Sequence, residues 1–168
     1  MHTYTVAILG VTGAVGQEML RVLEERDFPI HKLVALASDR SAGSTVRFRG
    51  QDVPISAVCD SAFEGVDIVL GAAENDIAQR WAPIIRAAGA VFIDNSSAFR
   101  MDPEVPLVVP ECNGADVKDH KGIIANPNCT TAISLTAVQP LRSLGQIRTM
   151  VASSYQAVSG AGAAGPRE

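Results

Sequence analysis

An α/β fold built on a doubly wound, mostly parallel sheet is predicted by three features of the sequence. Short β-rich apolar runs alternate with amphipathic helical patterns along most of the chain. The first run, Tyr4 to Leu9, leads into the glycine loop Gly10-Val11-Thr12-Gly13-Ala14-Val15-Gly16 and then a helical pattern. Polar residues cluster just after several of the runs, at the edge where parallel sheets place their ligands.

Taken in order, the helix after the glycine loop has Met19, Leu20, Val22 and Leu23 inside and Gln17, Glu18, Arg21, Glu24 and Glu25 outside. In a strand–loop–helix unit, glycines let the backbone close on a pyrophosphate while the helix N-terminus offers free N–H groups. The spacing is GxxGxxG, and a purely steric need for glycine is the other reading of such a loop. Leu33 to Ala37 reads as the second strand. It ends in Ser38-Asp39-Arg40-Ser41, where an NAD site would carry an acidic residue for the ribose hydroxyl. Hydroxyls flanking an arginine suit a 2′-phosphate instead, which favours NADP, although Asp39 sits awkwardly there.

Residues 45–58 alternate around Gly50 like a hairpin, and Asp67 to Ala72 reads as a core strand. A helix over Asp76 to Ala88, weakened by Pro83 and closed by Gly89, precedes a strand at Val91 to Asp94. The loop Asn95-Ser96-Ser97-Ala98-Phe99-Arg100 follows, making Arg100 a candidate anion holder; a surface arginine is the alternative. Leu107 to Val109 and Ile123 to Ala125 read as two further short strands.

Next comes Asn126-Pro127-Asn128-Cys129-Thr130-Thr131, then apolar residues at helical intervals (Ala132, Ile133, Leu135, Ala137, Val138, Leu141). Asn128 is a good N-cap, so Cys129 is predicted at the first turn of a helix. The positive end of a helix favours anions, and the thiolate is the nucleophilic form of cysteine. A small buried hydrophobe is the other common fate of a free cysteine. Pro140 is expected to end or kink this helix, and Ile147 to Tyr155 reads as a longer strand running into the Gly/Ala-rich end.

Composition bounds the function. The 168 residues are 47% hydrophobic and 5% aromatic, ordinary for a soluble α/β protein. A net charge of −4, with charges scattered, gives no basic surface for nucleic acid, and no apolar run reaches membrane-spanning length. The 3 cysteines (Cys59, Cys112, Cys129) show no metal-ligand spacing and no disulfide framework, which with the absent signal peptide points to a cytoplasmic location. His2, His31 and His120 read as surface residues, none beside a candidate nucleophile.

Six segments together resemble the N-terminal part of aspartate-β-semialdehyde dehydrogenases. They are Gly10–Gly16, Ser38–Gly43, Asp94–Arg100, Val108–Asn113, Ala125–Thr131 and Ser154–Gly162, and they follow the family's order. The resemblance implies a Rossmann-like NADP-binding domain over 1–128 and the start of a catalytic and dimerisation domain over 129–168. It implies reversible NADP-dependent conversion of aspartyl phosphate to aspartate semialdehyde and inorganic phosphate, a step in lysine (diaminopimelate), threonine, methionine and isoleucine synthesis. Cys129 would form the thioacyl intermediate, Arg100 would hold phosphate, and Asn128 and Gln156 would serve the substrate. Thr12 to Val15, Arg40, Ser41, Ser159 and Gly160 would contact NADP.

Three departures stand out: Asp39 in place of alanine, Gly71-Ala72-Ala73-Glu74-Asn75 in place of a Ser-Ala-Gly-Gly run, and Cys112 in place of valine. Members of the family are roughly twice as long, and their remaining half carries the catalytic histidine, further anion-binding residues and most of the dimer (or tetramer) interface. The resemblance thus implies that these 168 residues alone are inactive. The related N-acetylglutamyl-phosphate reductases carry Gly and Tyr around the nucleophile where this chain has Asn128 and Thr130. A non-catalytic NADP-binding or interaction module is the remaining alternative.

Overall fold

A computed structural model describes residues 2–156. Seven strands form one sheet in the order β3-β4-β2-β1-β5-β6-β7. The strands are β1 (Tyr4–Leu9), β2 (Ile30–Ala37), β3 (Thr45–Phe48), β4 (Gln51–Ala57), β5 (Ile68–Gly71), β6 (Val91–Asp94) and β7 (Ile123–Ala125). All neighbouring pairs are parallel except β3 with β4, the hairpin predicted around Gly50. The chain leaves β1 first toward β2 and later returns to β5 on its other side, so the winding reverses at β1. That reversal opens the crevice in which doubly wound sheets hold ligands.

Helices α1 (Ala14–Glu25) and α2 (Asn75–Ala87) cover opposite faces. Strand alternation supplies each face with apolar side chains. Ile8, Ala35 and Ala37 pack with Leu20 of α1, Val46, Phe48 and Ile55. Ala7, Leu9, Leu36, Val69 and Phe92 pack with Ala78, Trp81, Ala82 and Ile85 of α2 and with Phe63. The helix runs through Pro83, whose ring faces solvent, and Gly89 follows with φ +84.

One rung of the sheet fixes the site. Leu36, Leu9, Gly71, Asp94 and Ala125 are successive partners across β2, β1, β5, β6 and β7. Because these strands are parallel, everything that follows them emerges along one edge.

Two predicted strands are absent. Leu107 makes a single bridge to Ala125, and Pro110 then starts a short helix α3 (Pro110–Asn113). Proline has no N–H to give a ladder but suits a first helical turn. Residues 147–156 form no strand and are exposed. The outer side of β7 is already engaged by the bridging segment, so the run has no free ladder beside it. Cys129 does open a helix, α4 (Cys129–Val138), which gives way to a 3-10 turn over Gln139–Ser143. That helix is apolar on several faces yet buries none of its residues.

Candidate active site

The glycine loop divides its labour. Gly10 adopts φ +90, and a Cβ there would lie 2.6 Å from the Ala72 carbonyl oxygen. A Cβ on Gly16 would meet the Gly10 carbonyl oxygen at 2.4 Å. Both glycines are therefore demanded by the packing of the chain on itself. Gly13 is different: the nearest atom to a Cβ would be 3.5 Å away. The loop is tied to β2 through Gly10 N–H and Val11 N–H, both donating to the Leu36 carbonyl at 2.9 and 3.0 Å. Gln17 Nε2 braces it by donating to the Val11 carbonyl at 2.8 Å.

Thr12, Ala14 and Val15 are exposed at the start of α1, where the N–H groups of Ala14, Val15 and Gly16 have no intrahelical acceptor. Free N–H groups at a helix N-terminus form an anion site, so the donor set fits the pyrophosphate of a dinucleotide. On the neighbouring strand, Ser38 to Ser41 form a turn closed by Ser41 N–H donating to the Ser38 carbonyl at 2.9 Å. Arg40 is exposed on it and makes no ion pair among the described residues. Asp39 is exposed beside it.

At the far end of the same edge stands Cys129, exposed as the first residue of α4. Asn128 caps the helix: its Oδ1 accepts from Thr130 N–H at 2.9 Å. Arg100 does not lie free on the surface. Its Nε donates to the Asn126 carbonyl at 2.8 Å and one terminal nitrogen donates to the Asn95 carbonyl at 3.0 Å. The guanidinium so pins the loop after β6 to the loop after β7 and keeps three of its five N–H groups uncommitted by these bonds.

The anchor of the first loop is Asp94, fully buried at the end of β6. Its carboxylate accepts from Ser96 Oγ at 2.6 Å and Ser96 N–H at 3.2 Å. Burial pushes this carboxyl above the ordinary aspartate range, against the opposing pull of the Ser96 hydrogen bonds and the Arg100 charge.

Three asparagines that sequence reasoning did not single out complete the framework. Asn75 at the start of α2 bonds Ser97, its Oδ1 accepting from Ser97 N–H and its Nδ2 donating to Ser97 Oγ, both at 2.9 Å. Asn126 Nδ2 donates to Asn95 Oδ1 at 3.1 Å. The available signal was positional: β6 and β7 end in register at Asp94 and Ala125, and asparagine follows each.

Other predicted residues are not gathered here. Gln156 is exposed and makes no hydrogen bond to this edge among the described residues, and Ser159 and Gly160 lie outside the described residues. All three histidines belong to the opposite edge, where the parallel strands begin. His2 precedes β1, His31 reaches Thr5 Oγ1 at 3.3 Å, and His120 Nδ1 accepts from Gly122 N–H just before β7. His120 is half-buried rather than a free surface group. A groove away from Cys129 lies between α2 and the 99–105 segment, where Lys121 pairs with Glu104. No helix among the described residues is long and apolar enough to cross a membrane.

Comparison with known proteins bears on this edge. The family model described as semialdehyde dehydrogenase, NAD binding domain, matches residues 5–120. Aspartate-semialdehyde dehydrogenase of Synechocystis sp. is 56% identical over 158 residues, which is 94% of this chain and 47% of that protein. The crystal structure of aspartate semialdehyde dehydrogenase II from Vibrio cholerae superposes with a TM-score of 0.87 at 44% identity, over 98% of this chain and 50% of that one. The Candida albicans enzyme, solved with NADP, gives a TM-score of 0.65 at 25% identity over 86% of this chain and 48% of that one. The chain spans about half the length of the curated relatives it matches.

Proposed function

This chain belongs to the semialdehyde dehydrogenase family, and from that premise we propose that it is the cofactor-binding and nucleophile-bearing part of an aspartate-semialdehyde dehydrogenase. The reaction is the reductive dephosphorylation of 4-aspartyl phosphate to aspartate semialdehyde, in the synthesis of amino acids of the aspartate group. One observation carries the reading. Cys129 is exposed at a helix N-terminus, three residues past a loop held by an arginine, on the same edge as the glycine loop.

Residues 1–128 hold the cofactor, and 129–168 begin the part that completes the catalytic centre and the oligomer. The first turn of α1 binds the pyrophosphate through its N–H groups, and Arg40 with Ser38 and Ser41 takes a 2′-phosphate. That 2′-phosphate pairing makes NADP the cofactor, in keeping with the NADP in the Candida albicans relative. Bound NADPH supplies the hydride that reduces the acyl group.

Cys129, exposed as the first residue of α4, supplies the nucleophilic sulfur. The sulfur attacks the acyl carbon, a C–S bond forms, the bond between that carbon and the bridging oxygen breaks, and phosphate departs with the electron pair. The uncommitted N–H groups of Arg100 neutralise charge on the departing phosphate. Splitting the reaction through a thioester replaces one difficult step by two easier ones. No histidine of the described residues reaches this edge, so these 168 residues give acylation without steady turnover.

The test is to incubate the chain with aspartyl phosphate and map its peptides by mass. One aspartyl group, released by hydroxylamine, is expected on the Cys129 peptide and is lost in Cys129→Ser. Binding of NADP without any acylation would replace this reading with that of a non-catalytic binding module. Faster acylation by N-acetylglutamyl phosphate would assign the chain to the reductases acting on that substrate.

A further inference from the structure

Asn126 ties its main-chain N–H, its carbonyl and its side-chain amide nitrogen to the end of β6 and the loop that follows it. Its N–H donates to the Asp94 carbonyl at 2.8 Å, extending the β6–β7 ladder by one residue. Its carbonyl accepts from Arg100 Nε at 2.8 Å, and its side-chain amide donates to Asn95 Oδ1 at 3.1 Å. Beyond it the chain has little freedom before the thiol. Pro127 is buried with its φ fixed by the ring, Asn128 is committed as the cap, and Cys129 follows. Helix α4 contributes little of its own, since none of its residues is buried. The described side-chain tie from its body is Thr136 Oγ1 to Glu111 at 3.4 Å, a long bond at an exposed site.

We infer that Asn126 is a positioning residue for the proposed reaction: its side-chain bond to Asn95 holds the Cys129 turn at the reach needed from the phosphate held by Arg100. This inference rests on the functional reading above. The sulfur must approach the acyl carbon while the phosphate stays on the guanidinium, and both anchor points are on separate loops. The backbone bonds of Asn126 set its height along the sheet edge. The hydrogen bond from its side-chain amide to Asn95 Oδ1 adds a third tie between the strand end that leads to Pro127–Cys129 and the loop that carries Arg100. Misplacement by about 1 Å is enough to cost roughly 100-fold in a positioned reaction.

Two reagents separate position from intrinsic reactivity. Aspartyl phosphate needs the thiol and the phosphate site together, whereas iodoacetamide needs the thiol alone. In Asn126→Ala, acylation of Cys129 is expected to slow by about 10- to 100-fold while alkylation of the same thiol stays within about twofold. Asn95→Ala removes the bond from its other side and is expected to produce a similar loss. The double variant is then no slower than the worse single one, because both delete one interaction.

Exposed Cys59 and half-buried Cys112 serve as references within the molecule, and a rise in Cys112 alkylation would expose general unfolding. Should Asn126→Ala unfold the chain, Asn95→Ala carries the test on its own. Acylation of the unsubstituted chain and the folded variants at equal rates, or additive losses in the double variant, overturns the inference and leaves the functional reading standing. Absence of acylation in the unsubstituted chain overturns both.

Discussion

Gly16 rests directly on the main chain of Gly10 and Val11: a Cβ on Gly16 would lie 2.4 Å from the Gly10 carbonyl oxygen and 2.7 Å from Val11 Cα. Backbone cannot step aside as a flexible side chain can. Gly16→Ala is therefore expected to lower stability by about 1–3 kcal/mol and to weaken NADP binding with it. Gly13 has φ −74 and ordinary space around it, so Gly13→Ala is expected to stay within about 0.5 kcal/mol of the parent. Urea titration of both variants checks the contrast.

Arg40 provides the second prediction. With its side chain exposed and making no ion pair among the described residues, it is available to a 2′-phosphate at the end of β2. NADP is expected to bind about 10- to 100-fold tighter than NAD, corresponding to a charge-assisted bond of roughly 1.5–3 kcal/mol. Arg40→Ala should erase the difference and leave NAD affinity nearly unchanged. Calorimetric titration decides it, and equal affinities in the unsubstituted chain would mean that Asp39 cancels the site.

The three thiols should react in a fixed order. Cys129 and Cys59 are both exposed, so access alone does not separate them, while Cys112 is half-buried. Cys129 opens an α-helix of 10 residues, whereas Cys59 precedes only a 3-10 turn of 4 residues, is followed by Asp60 and contacts Ser61 Oγ at 3.4 Å. Dilute iodoacetamide near neutral pH is expected to label Cys129 first, then Cys59, then Cys112, read by peptide mapping. Earlier reaction at Cys59 would remove the helix terminus from the explanation of reactivity.

Asp94 predicts a pH effect with a definite sign. Its carboxyl titrates higher in the folded chain than the unfolded value of about 3.9, chiefly because it is buried. The native state then holds the proton more tightly, so this group's contribution to stability declines as pH rises from near 4 through its folded titration. Asp94→Asn lacks that titration. The stability of the parent relative to Asp94→Asn is expected to be greatest near pH 3 and to fall toward pH 7, measured by urea unfolding at each pH. A difference independent of pH would show that Asp94 titrates as it does in the unfolded chain.

Local patterns carried most of the fold. Strand β6 has the predicted limits, the hairpin turns at Gly50, and Asn128 caps the helix that Cys129 begins, all from residues within a few positions of each other. Two errors came from judging a strand by its own residues. Leu107 to Val109 is stopped by Pro110, and residues 147–156 have β-forming side chains but no neighbouring ladder. The clamps of the candidate site were hidden for the same reason. Asn75 meets Ser97 across 22 positions and Asn95 meets Asn126 across 31, distances over which no periodicity or cap pattern runs.

The two outer strands bear on how copies of this chain would associate. At one side the sheet closes with an antiparallel strand of 4 residues, on which Arg47 pairs with Asp52. At the other, β7 is only 3 residues long, and its outer groups are taken by Pro106 and Val108. Short, charged or covered edges are poor templates for strand addition. Ile133, Leu144 and Val151, exposed by 71%, 84% and 92%, are a different matter, since they present greasy side chains without presenting a ladder. Any clumping of the folded chain is thus expected to be a colloidal matter of oily contacts, which ammonium sulfate should promote, mild detergent should disperse and amyloid dyes should leave dark.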